Sequence, residues 1–247
     1  MSMLQTAEVP PDVRIIRHAQ PFRVLVANAK GGCGKTTLAT NLASLYAQRK
    51  FNTALIDYDP QSSATEWLDA RDELLPSIHG VVACKASPGQ VTRSFDVRVP
   101  SDTQRIIIDT PAGLTGNALS DRIRQCDAVI IPVLPSAIDI RAATTFIRDI
   151  MLSHSFRQTS RSIAVVANRT RKNTLVYNKL ALFLRSLKIP FITSLRDTQG
   201  YVRTSELGQG MIDDPGRDPQ DEAHWEPLLE WLDDVHASIE FRRKLGR

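Results

Sequence analysis

Short apolar runs alternate with longer amphipathic stretches along most of the chain. The runs are rich in β-branched residues and almost wholly apolar, which is typical of strands buried on both faces of a sheet. These predicted strands are RVLVAN (23–28), TALIDY (53–58), RIIIDT (105–110), AVIIPV (128–133) and SIAVVAN (162–168). Predicted helices lie between and after them, at 36–50, 116–126, 138–154 and 174–187. The alternation predicts an α/β fold, a doubly wound and mostly parallel sheet with helices on both sides.

The C-terminal part has a different pattern. Residues 209–221 contain two prolines and two glycines and are predicted to form a loop. In 222–244 apolar residues recur near helical spacing, which predicts a terminal helix packed on the sheet; they are Trp225, Leu228, Leu229, Leu232 and Val235. The chain shows no internal repeat or low-complexity segment, so we expect one domain, 22–247, after an N-terminal extension, 1–21.

A glycine-rich segment joins the first predicted strand to the first predicted helix. Its sequence from Ala29 to Thr37 is AKGGCGKTT. Glycines allow the backbone to curl and turn N–H groups toward a phosphate, and the following helix points its positive end at the same anion. The predicted nucleotide-binding residues of this loop are Lys30, Gly31, Gly32, Cys33, Gly34, Lys35, Thr36 and Thr37. Lys35 is expected to reach the β- and γ-phosphates and Thr36 to bind Mg²⁺, with Thr37 near the α-phosphate.

Carboxylates follow two of the other predicted strands. The second strand leads into Asp57 and Asp59, which alternation would direct to the same side. The strand RIIID ends in Asp109, the arrangement in which an aspartate holds Mg²⁺ through a water. Residues 110–113 after it are expected to form a loop that senses the γ-phosphate. Together with the glycine-rich segment, these positions predict an ATP/ADP site with Mg²⁺ and transfer of a phosphoryl group to water.

Charge is distributed unevenly although the formal net charge is only +4. Residues 157–203 hold ten Lys or Arg and one acidic residue, whereas residues 206–240 hold eleven Asp or Glu and one Arg. This asymmetry predicts a basic face with a polyanionic partner, and the alternative is a set of solvated helix faces. The chain has no apolar run of 18 residues, and its three cysteines are widely spaced, so we expect a cytoplasmic protein without a disulfide framework.

The glycine-rich segment resembles the deviant Walker A motif K-G-G-x-G-K-[ST]. The ordinary pattern G-x-x-x-x-G-K-[ST] would need glycine at position 29, where Ala29 stands, and Lys30 follows instead. The family with this motif includes ParA, MinD, the nitrogenase iron protein and arsenical-pump ATPases. The resemblance implies that Lys30 reaches the partner's nucleotide across an ATP-dependent homodimer. It also implies that Asp59, in a segment similar to the D-x-D-P-Q motif, orients the attacking water and that Asp57 lies near the Mg²⁺ shell.

Three further segments, DYDPQSSATEW, VIIPVLPSAIDIRA and TQGYVRTSELGQG, resemble small ParA proteins without an N-terminal helix-turn-helix domain. Such proteins position plasmids, chromosomes or organelles such as carboxysomes. The resemblance implies nonspecific binding to nucleoid DNA and slow hydrolysis stimulated by a ParB-like or cargo-adaptor protein. It places Pro135 near the nucleotide and Asn168 and Arg169 near the adenine. The implied DNA-binding residues are Arg171, Lys172 and Arg203.

Three alternatives remain within this superfamily. A MinD-type ATPase would need a membrane-binding C-terminal helix, but the basic tail 240–247 has only two large apolar residues, Phe241 and Leu245. A relative of the iron protein would need paired cysteines for a cluster, and the surroundings of Cys84 and Cys126 do not suggest one. A scaffold that binds ATP without hydrolysing it is disfavoured by Asp59.

Overall fold

The computed structural model describes residues 20–83, 98–157, 161–171, 182 and 189–246. Residues 1–19 of the predicted N-terminal extension, Lys172 and nearly all of the predicted helix at 174–187 lie outside this range. No helix in the described ranges is long and apolar enough to cross a lipid bilayer.

Seven parallel strands form one sheet in the described part of the chain, in the order β3-β2-β4-β1-β5-β6-β7. They are β1 (Phe22–Val26), β2 (Thr53–Asp57), β3 (Ile78–Val82), β4 (Arg105–Asp109), β5 (Ala128–Val133), β6 (Ser162–Thr170) and β7 (Phe191–Arg196). The five predicted strands are confirmed and form the centre of the sheet. Sequence patterning missed the edge strands β3 and β7, because partly exposed strands such as IHGVV lack a continuous apolar run.

Helices cover both faces of this sheet. Those of the described residues are α1 (Lys35–Gln48), α2 (Ser63–Asp69), α3 (Gly116–Arg124), α4 (Ala137–Leu152), α5 (His154–Arg157), α6 (Gln199–Glu206), α7 (Pro219–Ala223) and α8 (Glu226–Leu245). One apolar cluster joins α1 and α8 to the sheet, with Leu38 and Leu228 among its buried residues. A second cluster joins α3 and α4 to the opposite face, through Ile123 and Phe146. The predicted doubly wound fold is therefore confirmed.

The C-terminal region corrects two boundaries of the prediction. The loop predicted at 209–221 contains a 3-10 turn, Met211–Asp213, and the start of α7. The helix predicted at 222–244 is broken into α7 and α8 at His224 and Trp225. Helix α7 begins early because Asp218 accepts a hydrogen bond from Gln220 N at 2.8 Å and Pro219 occupies the first turn, where a missing N–H is tolerated.

A buried ion pair attaches the segment after α6 to the helices beside it. Arg71 Nη1 lies 2.8 Å from Asp213 Oδ2, and both side chains are nearly inaccessible to solvent. Asp213 also accepts hydrogen bonds from Ser44 and Gln48 of α1 and from Gly210 N, while Arg71 donates to the carbonyl oxygens of Gly208 and Pro76. Burial alone would raise the pKa of Asp213, but the hydrogen bonds from Arg71, Gln48 and Ser44 lower it below its ordinary value. Every polar atom of the pair is thus paired inside the fold.

Removing one member of this pair should strongly destabilise the protein. We expect Asp213→Ala to lower the free energy of unfolding by about 3–5 kcal/mol, because it leaves the Arg71 cation buried without a partner. The matched control is Glu240→Ala, which breaks a half-exposed pair with Arg243 and should cost roughly 0–1 kcal/mol. Chemical denaturation measures both.

The stability difference between the wild type and Asp213→Ala should also depend on pH. Because the pKa of Asp213 is depressed in the folded state, this difference should be full above about pH 4 and decline as the pH falls further. Equal losses in the two variants would contradict the assignment.

Candidate nucleotide-binding site

The loop between β1 and α1 has the backbone conformation of a phosphate cradle. Gly32 and Gly34 have φ angles of 73° and 89°, which side-chain-bearing residues rarely adopt. A Cβ atom at Gly34 would also lie 2.0 Å from Nδ2 of Asn168. Helix α1 begins directly after Gly34, so its free N–H groups border the loop. Glycine at position 34 is therefore required by backbone conformation and by close packing together.

Two buried asparagines hold this loop in place from neighbouring strands. Asn168, in β6, donates from Nδ2 to the Cys33 carbonyl oxygen at 2.9 Å. Asn28, two residues beyond β1, donates from Nδ2 to Pro132 O at 2.7 Å and accepts from Lys30 N at 3.2 Å. Sequence reasoning connected Asn168 with the adenine and overlooked Asn28, although an asparagine at a strand end before glycines is a common turn signal. The loop is thus fixed to the carboxyl ends of β5 and β6.

Thr36 and Asp109 meet where the first turn of α1 faces the end of β4. Thr36 Oγ1 donates to Asp109 Oδ2 at 2.7 Å, and Asp109 has no exposed surface. Burial raises the pKa of Asp109 to about 7, with hydrogen bonding by Thr36 acting in the opposite direction and the nearby Asp57 charge adding to the rise. Asp57 and Asp109 are register partners on adjacent strands, which explains this electrostatic coupling.

This pair of oxygen ligands fits Mg²⁺. A hydroxyl and a carboxylate are hard ligands, and a divalent cation would offset the charge of a carboxylate that burial otherwise disfavours. In the described ranges, no group of three or more His, Cys, Asp or Glu side chains could hold a metal ion by itself. Mg²⁺ at nucleotide sites commonly has few protein ligands and binds the phosphates as well. Thr36 and Asp109 are therefore the residues that would hold the ion, and the predicted place of Asp57 near its shell stays a prediction, with Asp57 beside Asp109 on the adjacent strand.

The position of Asp57 and Asp59 corrects the expectation drawn from alternation. Strand β2 ends at Asp57, and Asp59 lies in the turn beyond it, so the two side chains do not share one strand face. Asp57 accepts hydrogen bonds from Asp59 N at 2.9 Å and from N and Oγ1 of Thr65 in α2. It therefore braces the turn that carries Asp59. Only Asp59 of the two lines the cleft beside the glycine-rich loop.

A cleft of about 690 Å³ brings most of the predicted phosphate-binding residues together. Its predicted lining residues are Gly31, Gly32, Gly34, Lys35, Thr36, Thr37 and Asp59. Pro111 and Ala112, which follow β4, close another side of it. A neighbouring pocket of about 480 Å³ shares Thr37 and Arg169 with this lining and also contains Asn168. Pro135 lines neither space and stands directly before Ser136, the N-cap of α4.

Comparison with known proteins agrees with this geometry. Residues 24–211 match the model of the CobQ/CobB/MinD/ParA nucleotide binding domain. The chain belongs to this family. It is 30% identical over 182 residues to a protein named maintenance of carboxysome distribution protein A from Halothiobacillus neapolitanus, a match that covers 70% of this chain and 78% of that one. It is 49% identical over 139 residues to the chromosome-partitioning ATPase Soj of Thermus thermophilus, covering 47% of this chain and 55% of Soj.

Solved structures of the family share the fold at low sequence identity. A candidate plasmid partition protein from Borrelia burgdorferi, bound to AMPPNP, superimposes with a TM-score of 0.66 at 19% identity. The match covers 85% of this chain and 99% of that chain. At this identity the likeness establishes the fold and does not transfer the role of any residue.

Both lysines of the family motif have intramolecular partners in this structure. Lys35 Nζ donates to the Lys30 carbonyl oxygen at 3.1 Å, within the phosphate cradle. Lys30 Nζ lies 2.8 Å from Asp139 Oδ1 in the first turn of α4, and the Lys30 side chain is about one third exposed. Asp139 in turn accepts a hydrogen bond from the Ser136 hydroxyl. The sequence prediction did not include Asp139, although Ser-x-x-Asp before an apolar run is a recognisable capping pattern.

The candidate DNA-binding residues are ion-paired here. Arg203 contacts Asp214, and Arg171 Nη2 lies 3.0 Å from Asp197 Oδ2. Arg196 contacts both Asp218 and Asp221, so a residue of the basic segment again pairs with the acidic segment. Lys172, the third predicted DNA contact, lies outside the described residues. The charge asymmetry of the sequence is therefore partly neutralised in the fold.

Loss of the Lys35 ammonium group should nearly abolish nucleotide binding. We expect Lys35→Ala to weaken binding of a fluorescent ATP analogue by on the order of 100-fold, because charged hydrogen bonds to the phosphates are lost. Lys30→Ala is the control from the same loop and should bind the analogue normally, since the Lys30 side chain points to Asp139. Normal binding by Lys35→Ala would remove the assignment of the cradle.

Proposed function

We propose that the protein is a ParA-type ATPase that forms an ATP-dependent homodimer, binds nonspecific DNA and positions a cargo in the cell. The observation that carries the proposal is the cleft that Lys35, Thr36 and Asp59 line together, with the buried Asp109 carboxylate hydrogen-bonded behind Thr36. A phosphate cradle, a magnesium site and a carboxylate for the attacking water are the parts that phosphoryl transfer to water requires. ATP is the proposed substrate, and ADP and phosphate are the products.

In the proposed mechanism the chain supplies position and charge. Backbone N–H groups of the glycine-rich loop and the start of α1 bind the phosphates. Lys35 leaves the Lys30 carbonyl oxygen for the β- and γ-phosphates, because an ionised acceptor forms the stronger hydrogen bond. Mg²⁺, when bound, neutralises phosphate charge. Asp59 orients a water toward the γ-phosphate, while Asp57 holds the turn through Asp59 N and Thr65.

Dimerisation is proposed to complete the site through Lys30. Two nucleotides facing each other concentrate negative charge, which a lysine from each protomer would offset. Lys30 must first leave Asp139, whose carboxylate is buried. The Ser136 hydroxyl and the N-terminal turn of α4 would then stabilise that carboxylate. Slow hydrolysis in the isolated protein and stimulation by a partner protein follow from the absence of an evident arginine finger among the described residues.

Substitutions should separate these two roles. We expect Lys30→Ala to bind ATP but remain monomeric, because the charge that acts across the dimer is missing. Asp59→Ala should bind ATP and dimerise, yet lose at least about 100-fold in turnover, because the water is no longer oriented. Multi-angle light scattering with ATP measures the first property and phosphate release the second. Normal dimerisation of Lys30→Ala, or full turnover of Asp59→Ala, would contradict the respective role.

DNA binding is proposed for the face that carries Arg171 and Arg203. Both arginines are largely exposed, so DNA phosphates can reach them and compete with Asp197 and with the less exposed Asp214. A dimer would present two such faces together, which raises affinity through multivalency. ATP would then act as the switch between free and DNA-bound protein.

The switch predicts DNA retention that depends on nucleotide and salt. Wild-type protein should be retained on nonspecific DNA with ATP, but not with ADP or without nucleotide, and retention should fall steeply between about 50 and 200 mM salt. Arg203→Glu should weaken retention on all sequences alike, whereas Asp214→Asn should strengthen it by freeing Arg203. Both variants should bind ATP normally. Equal retention in all nucleotide states would exclude the switch.

The cargo is proposed from the relatives. Their names refer to carboxysome distribution and chromosome partitioning, so a carboxysome-like organelle, a plasmid or a chromosome is the proposed class of cargo. A second candidate is a MinD-type membrane ATPase, because Phe241 and Leu245 are exposed on the basic last turns of α8, although two apolar residues form only a narrow face for a membrane. Sedimentation with anionic liposomes, run beside the DNA assay, separates the two. ATP-dependent retention on liposomes and not on DNA would favour the membrane protein.

A further inference from the structure

A cation–π contact joins helix α3 to the turn that carries Asp59. The guanidinium carbon of Arg122 lies 3.5 Å from the centre of the Tyr58 ring. Tyr58 stands between Asp57 and Asp59, and Arg122 lies in α3, more than sixty positions away. Both residues are half-buried, so the contact is partly shielded from water. Such contacts are stronger when they are desolvated.

Tyr58 ties the turn of Asp59 to the strand that ends in Asp109. Its backbone N–H donates to the Asp109 carbonyl oxygen at 3.1 Å. Its ring packs against the apolar cluster on the α3 side of the sheet, opposite to the side where Asp57 meets Thr65. Displacement of the Tyr58 backbone would therefore change the position of Asp59, the next residue.

Arg122 belongs to a helix that begins just after the loop predicted to sense the γ-phosphate. Pro111 and Ala112 of this loop line the cleft, and Gly113 N donates to Ala29 O at 2.8 Å, at the start of the glycine-rich loop. Buried Ile123 fixes α3 to the sheet directly beside Arg122. The Arg122 guanidinium group also donates to Gln125 Oε1 at 3.0 Å. The loop at Pro111 thus leads from the cleft into a helix that Ile123 holds against the sheet, with Arg122 placed on the Tyr58 ring.

We propose that Tyr58 and Arg122 are positioning residues whose stack couples the loop after β4 to the turn that carries Asp59. The proposal rests on the function proposed above and adds how hydrolysis is regulated at that site. When the loop at Pro111 closes on a γ-phosphate, Arg122 of α3 and the Tyr58 ring beneath it hold Asp59 in place for the attacking water. With a diphosphate the loop has no such contact, so the turn of Asp59 is held less firmly.

Conservative and disruptive variants distinguish this coupling from simple packing. Tyr58→Leu keeps apolar volume but removes the π-face, whereas Tyr58→Phe keeps the π-face. Arg122→Met keeps length but removes the charge. Arg124→Met, on the same helix, removes an arginine that pairs with Asp121 and donates to Ser155.

We expect Tyr58→Leu and Arg122→Met to lower kcat roughly threefold to tenfold with little change in KM, the range for a partly buried cation–π contact. Tyr58→Phe and Arg124→Met should stay within about twofold of wild type.

A double variant and hydrogen exchange complete the test. Tyr58→Leu combined with Arg122→Met should be no slower than the slower single variant, because both remove one interaction. With AMPPNP and Mg²⁺, peptides covering 58–65 and 111–122 should both gain protection in the wild type. In Tyr58→Leu, only 111–122 should keep the full gain.

Three results would overturn the coupling: equal loss in Tyr58→Phe and Tyr58→Leu, additive losses in the double variant, or unchanged protection of 58–65 in Tyr58→Leu. A wild-type protein that binds AMPPNP but does not hydrolyse ATP would refute the proposed function instead. The exchange experiment still tests the coupling in that case, because it does not require turnover. Failures of the two proposals are therefore distinguishable.

Discussion

The contact between Thr36 Oγ1 and the buried carboxylate of Asp109 is the interaction on which the rest of the site depends. It joins the first turn of α1 to the end of β4, so it fixes the start of the helix that follows the glycine-rich loop. A carboxylate without exposed surface is unfavourable as an anion unless it is paired, which explains its raised pKa. A cation bound beside the glycine-rich loop would therefore stabilise the ionised Asp109 carboxylate.

The cradle itself depends on exact backbone placement supplied by neighbouring strands. Its left-handed glycines lower the cost of the curled conformation, but they do not select it over others. Selection comes from Asn28 and Asn168, whose buried amides bond to the ends of β5 and to the loop. Parallel register brings all these strand ends to one edge of the sheet, where ligands of such folds bind. The same edge carries Asp57 and Asp109 as neighbours.

The ion pairs of the chain differ in how deeply they are buried. Arginines of the basic segment pair with carboxylates of the acidic segment that follows it, as in the contact of Arg203 with Asp214. The pair of Arg71 and Asp213 is buried and structural, whereas pairs with an exposed arginine contribute less to stability. Lys30 and Asp139 are intermediate, since only the lysine is accessible. The degree of burial thus distinguishes the ion pair that stabilises the fold from pairs whose arginine or lysine is accessible to solvent.

The amino-acid sequence was enough to predict the central strands, the glycine-rich loop, Asp109 at the end of β4 and Asp59 in the segment after β2. These features depend on local periodicity and on motifs of fixed spacing, which a linear chain displays directly. It did not reveal the edge strands, the break between α7 and α8, or the bracing role of Asp57. Tertiary structure alone decided that Lys30 meets Asp139, that Arg203 meets Asp214 and that Arg122 stacks on Tyr58. Each of these contacts joins separate elements, and the path of the folded chain, rather than local pattern, determines which side chains come within reach.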